Sequence, residues 1–237
     1  MDLWALNVYK SPFPKKRYGQ LYDGGYVVCE IPNIKYDLFL SAGIGDDYTF
    51  ESSFLDAHPG LHCYAFDTTD CKVNHPRCTF IRKRVATRNL SDETNFHEYI
   101  ADHDRIFLKI DIEGSEYPLF QSLTTSQMEK FAQIVVEFHM PFLPKQAEVL
   151  KNLSKTHYIV HFHPNNCCGT EIFDGYEVPN LFECTYIHKR YVDTPQFNSE
   201  QIPSPIDMPN LPRKPDIVLT KPPFVYQVGG ASKTVYH

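Results

Sequence analysis

The segment Asp37 to Asp47 (DLFLSAGIGDD) constrains the fold more than any other stretch of the chain. Its first half is a short apolar run with the length and composition of a buried strand. The chain then turns through Gly43 and Gly45 into a helix-like segment, Tyr48 to Leu55. A glycine at such a turn lets the backbone reverse sharply and lets a ligand lie against it. A second apolar run, His62 to Phe66, ends in Asp67. An acidic side chain there, roughly 20 residues past the glycines, suits a pair of ribose hydroxyls. The loop lacks the third glycine of a G-x-G-x-x-G pattern, which disfavours a dinucleotide pyrophosphate. A ligand with a ribose and no phosphate fits better, although an ordinary strand-turn-helix would use the same residues.

Further apolar runs follow at regular intervals. Cys78–Ile81, Ile106–Asp111, Gln133–Glu137, Tyr158–His163 and Leu181–His188 read as strands. Helical patterns lie between them at Glu116–Leu123 and Gln146–Leu153, with a shorter helical turn at Asn95–Ile100 carrying Phe96 and Tyr99 inward. Alternating strands and helices predict an α/β fold: a seven-strand, mainly parallel sheet with helices on both faces. In such sheets ligands sit beyond the carboxyl ends of the strands. Residues 1–20 read as irregular, and Asp23–Cys29 as a glycine turn feeding a short strand. That turn is either a hairpin in front of the sheet or a lid whose glycines approach a ligand.

A chain of 237 residues supports one domain with a sizeable core. The net charge of −6 provides no basic field to recruit nucleic acid. Seven cysteines without a C-x-x-C pair predict reduced thiols in a cytoplasmic compartment. No apolar run reaches the ~18 residues of a membrane span. Eighteen prolines and 14% aromatic residues suggest long loops and a cleft lined by Tyr and Phe faces. The prolines gather after residue 200, predicting an extended arm along the surface.

The polar residues fall where the strands end. By strand alternation Lys109, Asp111 and Glu113 share one face, and unpaired charges on a buried strand are costly. Either Lys109 pairs with a carboxylate, or a ligand or cation does. Glu137 and His139 share a side of the next strand, and His161 and His163 share a face of the one after. Oxygen and imidazole donors together suit Mg²⁺ or Mn²⁺, with Zn²⁺ or Fe²⁺ as alternatives. The expected metal ligands are Asp111, Glu137, His161 and His163. The competing arrangement pairs Lys109 with Asp111 and leaves a histidine to act as base without metal.

Asp23–Val28, Ser41–Gly45, Tyr64–Asp67, Lys109–Glu116, Val135–His139 and His161–Asn166, in that order, resemble the FkbM-like S-adenosylmethionine (SAM) methyltransferases, the methyltransferase domain 22 branch in particular. The likeness spans roughly residues 17–190, and K-x-D-x-E-G-x-E over Lys109–Glu116 is its most specific part. It leaves an N-terminal extension (1–16) and a proline-rich arm (191–237) on a single domain. The resemblance implies a class I, Rossmann-like SAM methyltransferase acting on a hydroxyl of a sugar or glycan, with rhamnose one candidate. Gly25, Tyr26, Ser41, Gly43, Gly45, Glu51, Asp67 and Asp111 would contact the cofactor. Asp111, His139 and His163 would carry the chemistry, assisted by a divalent metal. The alternative is a metal-free N- or protein-methyltransferase with a histidine base.

Overall fold

The computed structural model describes residues 3–139, 143–173 and 175–227. A 3-10 turn at Leu3–Leu6 precedes β1 (Lys15–Tyr18) and β2 (Tyr26–Cys29), an antiparallel hairpin. Next come β3 (Leu38–Ala42), α1 (Thr49–Ala57), β4 (Cys63–Asp67) and β5 (Cys78–Arg82). A short pair, β6 (Arg84–Val85) and β7 (Glu93–Thr94), leads to α2 (His97–Ala101) and β8 (Ile106–Ile110). The chain continues through α3 (Glu116–Ser122), α4 (Thr125–Met128), β9 (Phe131–His139), α5 (Pro144–Thr156) and β10 (His157–Pro164). A hairpin of β11 (Thr170–Phe173) and β12 (Tyr176–Pro179) then precedes β13 (Leu181–His188).

Seven strands form the central sheet in the order β10-β13-β9-β8-β3-β4-β5. Only β13 runs antiparallel to its neighbours. It inserts between β9 and β10, so the strands carrying Glu137 and His163 are not adjacent, as the sequence alone left open. Strand alternation sorts the core into two layers. Leu38, Leu40, Ile106, Leu108 and Ile110 face α3 and α5, while Phe39, Phe107, Ala132 and Val135 face α1 and the β1–β2 hairpin. Phe50 and Phe54 lie one turn apart on α1, and the Phe54 ring stacks on Phe107 with centroids 4.1 Å apart. Such aromatic pairs are worth about 0.5–1.5 kcal/mol beyond area burial.

The N-terminal segment departs from its predicted irregularity. Leu3 and Leu6 are buried in the α5 layer, and Lys15–Tyr18 is a strand paired with β2. The β6–β7 and β11–β12 pairs had no sequence expectation. Arm residues between 192 and 227 make two isolated bridges, Tyr9 with Phe197 and Ile202 with Leu219, and depart from a surface course by burying Ile202, Leu219, Phe224 and Val225 in the core. Residues 228–237 of the expected arm lie outside the described residues.

Gly43 ends β3 with φ +73, and a Cβ there would lie 1.5 Å from the Asp111 carbonyl oxygen. The backbone leaving β8 therefore occupies the space that any side chain at Gly43 would need. Gly45 has φ +53 and nothing within 4 Å of a Cβ position. Gly45→Ala should cost only the roughly 1–2 kcal/mol of a left-handed conformation. Gly43→Ala adds a backbone collision and should lower the melting temperature much further. Thermal unfolding of the two variants checks this, and equal losses would contradict the packing account.

Candidate active site

The row of residues at the carboxyl ends of the strands follows from register. Glu137 pairs with Glu183 on β13, and Glu183 pairs with His163 on β10. One step beyond Ile110↔Val136, Asp111 aligns with Glu137; one step beyond Ala42↔Ile110 and Ala42↔Phe66, Gly43 aligns with Asp111 and Asp67. A cleft of about 650 Å³ opens over the Asp67–Gly43–Asp111 part of this row.

At one end, Asp67 accepts hydrogen bonds from Gly45 N (2.9 Å) and from the Thr69 N and Oγ1 (both 2.8 Å). Burial alone would raise its pKa, but these donors outweigh it and hold the carboxyl below its ordinary range. Ser41 lies beneath the cleft and donates to Glu51. Burial pushes Glu51 up despite Lys109 and Ser41, and its Oε2 has no partner. The Lys109 Nζ donates to Gly43 O at 2.9 Å and sits over the Tyr26 ring. It makes no ion pair with Asp111 of the kind the sequence allowed.

Tyr26 reaches across from β2 and donates its hydroxyl to Asp111 Oδ2 at 2.9 Å. Burial, then the Asp111, Glu137 and Glu183 carboxylates, push the phenol well above its usual range, so it stays a donor. Gly24 and Tyr26 line the cleft while Gly25 does not. A Cβ at Gly25 would strike the Arg17 guanidinium at 2.1 Å, so this glycine serves the hairpin. The hairpin reading of the Asp23–Cys29 turn holds, and Gly24 borders the cleft.

Asp111, Glu137 and His139 are brought together, with one ligand atom of each lying within 4.8 Å of the others. Burial, Asp111 and Glu183 push Glu137 well above the usual carboxylate range, against Asn165, which donates to its Oε1 at 2.8 Å. Asp111 Oδ1 is buried without a partner. Burial would lower the His139 pKa, but Glu116, Asp111 and Glu113 outweigh it and raise it. Its Nδ1 faces Glu116 Oε1 at 3.2 Å, and its Nε2 faces Glu113 Oε2 at 3.3 Å and Asp111 Oδ1 at 4.0 Å.

His161 and His163 do not join that group. The Lys15 Nζ lies 3.3 Å from His161 Nδ1 and can only donate. His161 therefore carries its proton on Nε2, 2.8 Å from Asp207 Oδ1. Burial lowers the His161 pKa, and the contact is close but not directed as a hydrogen bond, so Nε2 is buried without a partner. The His163 Nδ1 faces Glu183 Oε2 at 3.4 Å. Burial opposes its charge, but Glu183 and the Asp207 and Asp216 carboxylates raise its pKa.

Sequence reasoning missed Glu116 and Glu183. Glu116 closes the K-x-D-x-E-G-x-E stretch, and its Oε1 also accepts from Ile112 N at 2.9 Å, which was the available signal. Nothing in the sequence links Asp207 to His161. The aromatic-lined cleft is not found among the described lining residues: Tyr26, Phe50 and Phe66 line it, and each is 2% exposed or less. The aromatic excess is spent on the core.

A cleft over the switch between β3 and its neighbours, with an acid closing the second strand, defines a SAM-dependent methyltransferase of the Rossmann-like class. The sequence matches the methyltransferase FkbM domain over residues 10–166, and the chain belongs to that family. No curated protein matches it. Solved structures it resembles include a fibrillarin/Nop5p complex, at 11% identity, TM-score 0.39, over 65% of this chain and 74% of that one. Another is precorrin-6y C5,15-methyltransferase from Geobacter metallireducens, at 11% identity, TM-score 0.36, over 67% and 84% of the two chains. A third is TrmN from Thermus thermophilus, at 11% identity, TM-score 0.35, over 67% and 46%. No helix among the described residues is long and apolar enough to cross a membrane.

Burial would raise Asp207, but the His161 and His163 rings and the Ser204 N–H outweigh it and bring its pKa down to about 2. A depressed carboxyl contributes stability that is complete above its unfolded pKa and is lost as pH falls through the folded value. Asp207→Asn should therefore be less stable by about 2 kcal/mol at neutral pH, with the difference vanishing near pH 2. Urea unfolding across that range checks it, and a pH-independent difference would contradict it.

Proposed function

We propose that the protein transfers the SAM methyl group to a hydroxyl of a sugar or glycan, rhamnose among the candidates, with a divalent cation assisting. The observation that carries this reading is the carboxylate–imidazole group of Asp111, Glu137 and His139, of which Asp111 lines the cleft. SAM supplies a sulfonium methyl that is already a strong electrophile, so the chain has to align the acceptor and remove its proton. Alignment of this kind is worth about 7–11 kcal/mol.

Asp67, held ionised, keeps an acceptor site on Oδ2 for a ribose hydroxyl, while Gly45 leaves open space beside it. A sugar hydroxyl is a poor acid near neutrality, so it needs a base or a Lewis acid. Two carboxylates this close repel each other unless a proton or a cation lies between them. Two carboxylates and one imidazole suit Mg²⁺ or Mn²⁺, and the unpartnered Asp111 Oδ1 is a free donor for it. Such an ion would be held by Asp111, Glu137 and His139, not by His161 or His163.

The metal-free reading has its own observation. Buried Glu116 forms a dyad with His139 through Nδ1, leaving Nε2, 3.3 Å from Glu113 and 4.0 Å from Asp111, to act as the base. That arrangement would also serve an amine acceptor on a protein. Incubation with SAM and a panel of deoxy and common hexoses, read by mass with and without EDTA, separates these. The expected result is a methylated hexose that disappears with EDTA and returns with Mn²⁺ or Mg²⁺. Glu137→Gln should lower turnover by ~10²-fold or more while keeping SAM affinity. Activity that survives EDTA selects the dyad, and methylation of peptides but no hexose ends the sugar reading.

A further inference from the structure

We propose that Asn210 is a positioning residue: it ties the C-terminal arm to the β1–β2 turn and so fixes the cleft wall that selects the acceptor. Asn210 is 4% exposed. Its Nδ2 lies 2.8 Å from Glu183 Oε1, in the register row, and 3.3 Å from Asp23 Oδ1, in the turn. A side-chain amide carries two N–H donors, one for each carboxylate. Asp23 is exposed and Glu183 is buried, so the amide links the surface turn to the buried row.

Both sides of the bridge are anchored. On the arm side, Asn166 accepts from Leu211 N at 2.8 Å and donates to Lys214 O at 3.0 Å, while Asp207 holds His161. On the turn side, Arg17 donates to the carbonyls of Gln20 and Tyr22. Gln20, Asp23 and Gly24 of that turn line the cleft. Tyr22 between them has φ +64 and is 43% exposed, an uncommon backbone state for a residue other than glycine.

The region matched by the FkbM domain ends at residue 166, so Asn210 comes from outside it to hold a wall built within it. Change in the arm can then alter acceptor choice while Asp67 and the glycine turn stay as they are. The acceptor half of this inference rests on the sugar reading above, whereas the bridge itself does not.

Hydrogen exchange on the full chain tests the bridge. Amides of residues 19–25 should exchange roughly tenfold faster in Asn210→Ala and in Asp23→Ala, with little further gain in the double variant. Amides of β8 and β9 should keep the parent rates. Parent-like turn exchange in Asp23→Ala, which leaves the arm intact, overturns the proposal. Faster exchange spread equally over β8 and β9 overturns it too, because that marks general loosening. In the hexose panel, Asn210→Ala should change the ratio of methylated products while SAM affinity by calorimetry stays within about twofold. A loosened turn with unchanged product ratios overturns the selecting role. If the parent chain methylates no hexose, the sugar reading fails while the exchange data still decide the bridge.

Discussion

The close passage of the Asp111 backbone across Gly43 sets the geometry on which the rest of the structure depends. With a Cβ position only 1.5 Å from the Asp111 carbonyl, residue 43 must be glycine for β3 and β8 to leave the sheet side by side. That contact lets Asp67, Gly43, Asp111, Glu137, Glu183 and His163 fall into one register row. The row faces the hairpin and α1, because strand alternation places Lys109, Asp111 and Glu137 on the layer opposite Leu108 and Ile110. A polar row inside an apolar sheet is tolerated only where each charge meets a partner. Tyr26, Asn165, Asn210 and the paired histidines supply most of those partners, and Asp111 Oδ1 and His163 Nε2 are left over.

Electrostatics divides the row into two halves of different character. Around Glu183, His163, Asp207 and His161 the acids and imidazoles lie in close pairs, yet the Nε2 of each ring has no hydrogen-bond partner. Around Asp111, Glu137 and His139 the carboxylates outnumber the donors, and Glu137 is driven well above its ordinary range by burial and its acidic neighbours. This unsatisfied half borders the cleft. A cation or a shared proton relieves it, and either one bears on removal of a proton from an acceptor.

Much of the framework was legible in the sequence because it rests on local pattern. The seven strands of the sheet, α1, α3 and α5 each follow from apolar period, and Asp67 and Asp111 from their positions at strand ends. The site was legible only up to the ends of single strands. Histidines at the ends of neighbouring predicted strands looked equivalent, yet β13 inserts between β9 and β10 and carries Glu183, which takes His163. His161 is taken by Asp207, far along the arm, where proline-rich sequence gives no periodicity to read. Gly43 and Gly25 were expected to make room for a ligand. Gly43 lines the cleft and also makes room for the Asp111 backbone, while Gly25 lies off the cleft against Gln20 O and Arg17.

The proposed reading divides the work between Asp67, which would hold the cofactor, and the group of Asp111, Glu137 and His139, which would face the acceptor with a cation. The most direct test is a crystal structure of the protein grown with S-adenosylhomocysteine and MnCl₂, with anomalous data collected for manganese. The account predicts a ribose hydroxyl on the Asp67 carboxylate and one manganese peak ligated by Asp111, Glu137 and His139. A ribose bound away from Asp67, or a manganese peak at His161 or His163 with none at Asp111, would contradict it.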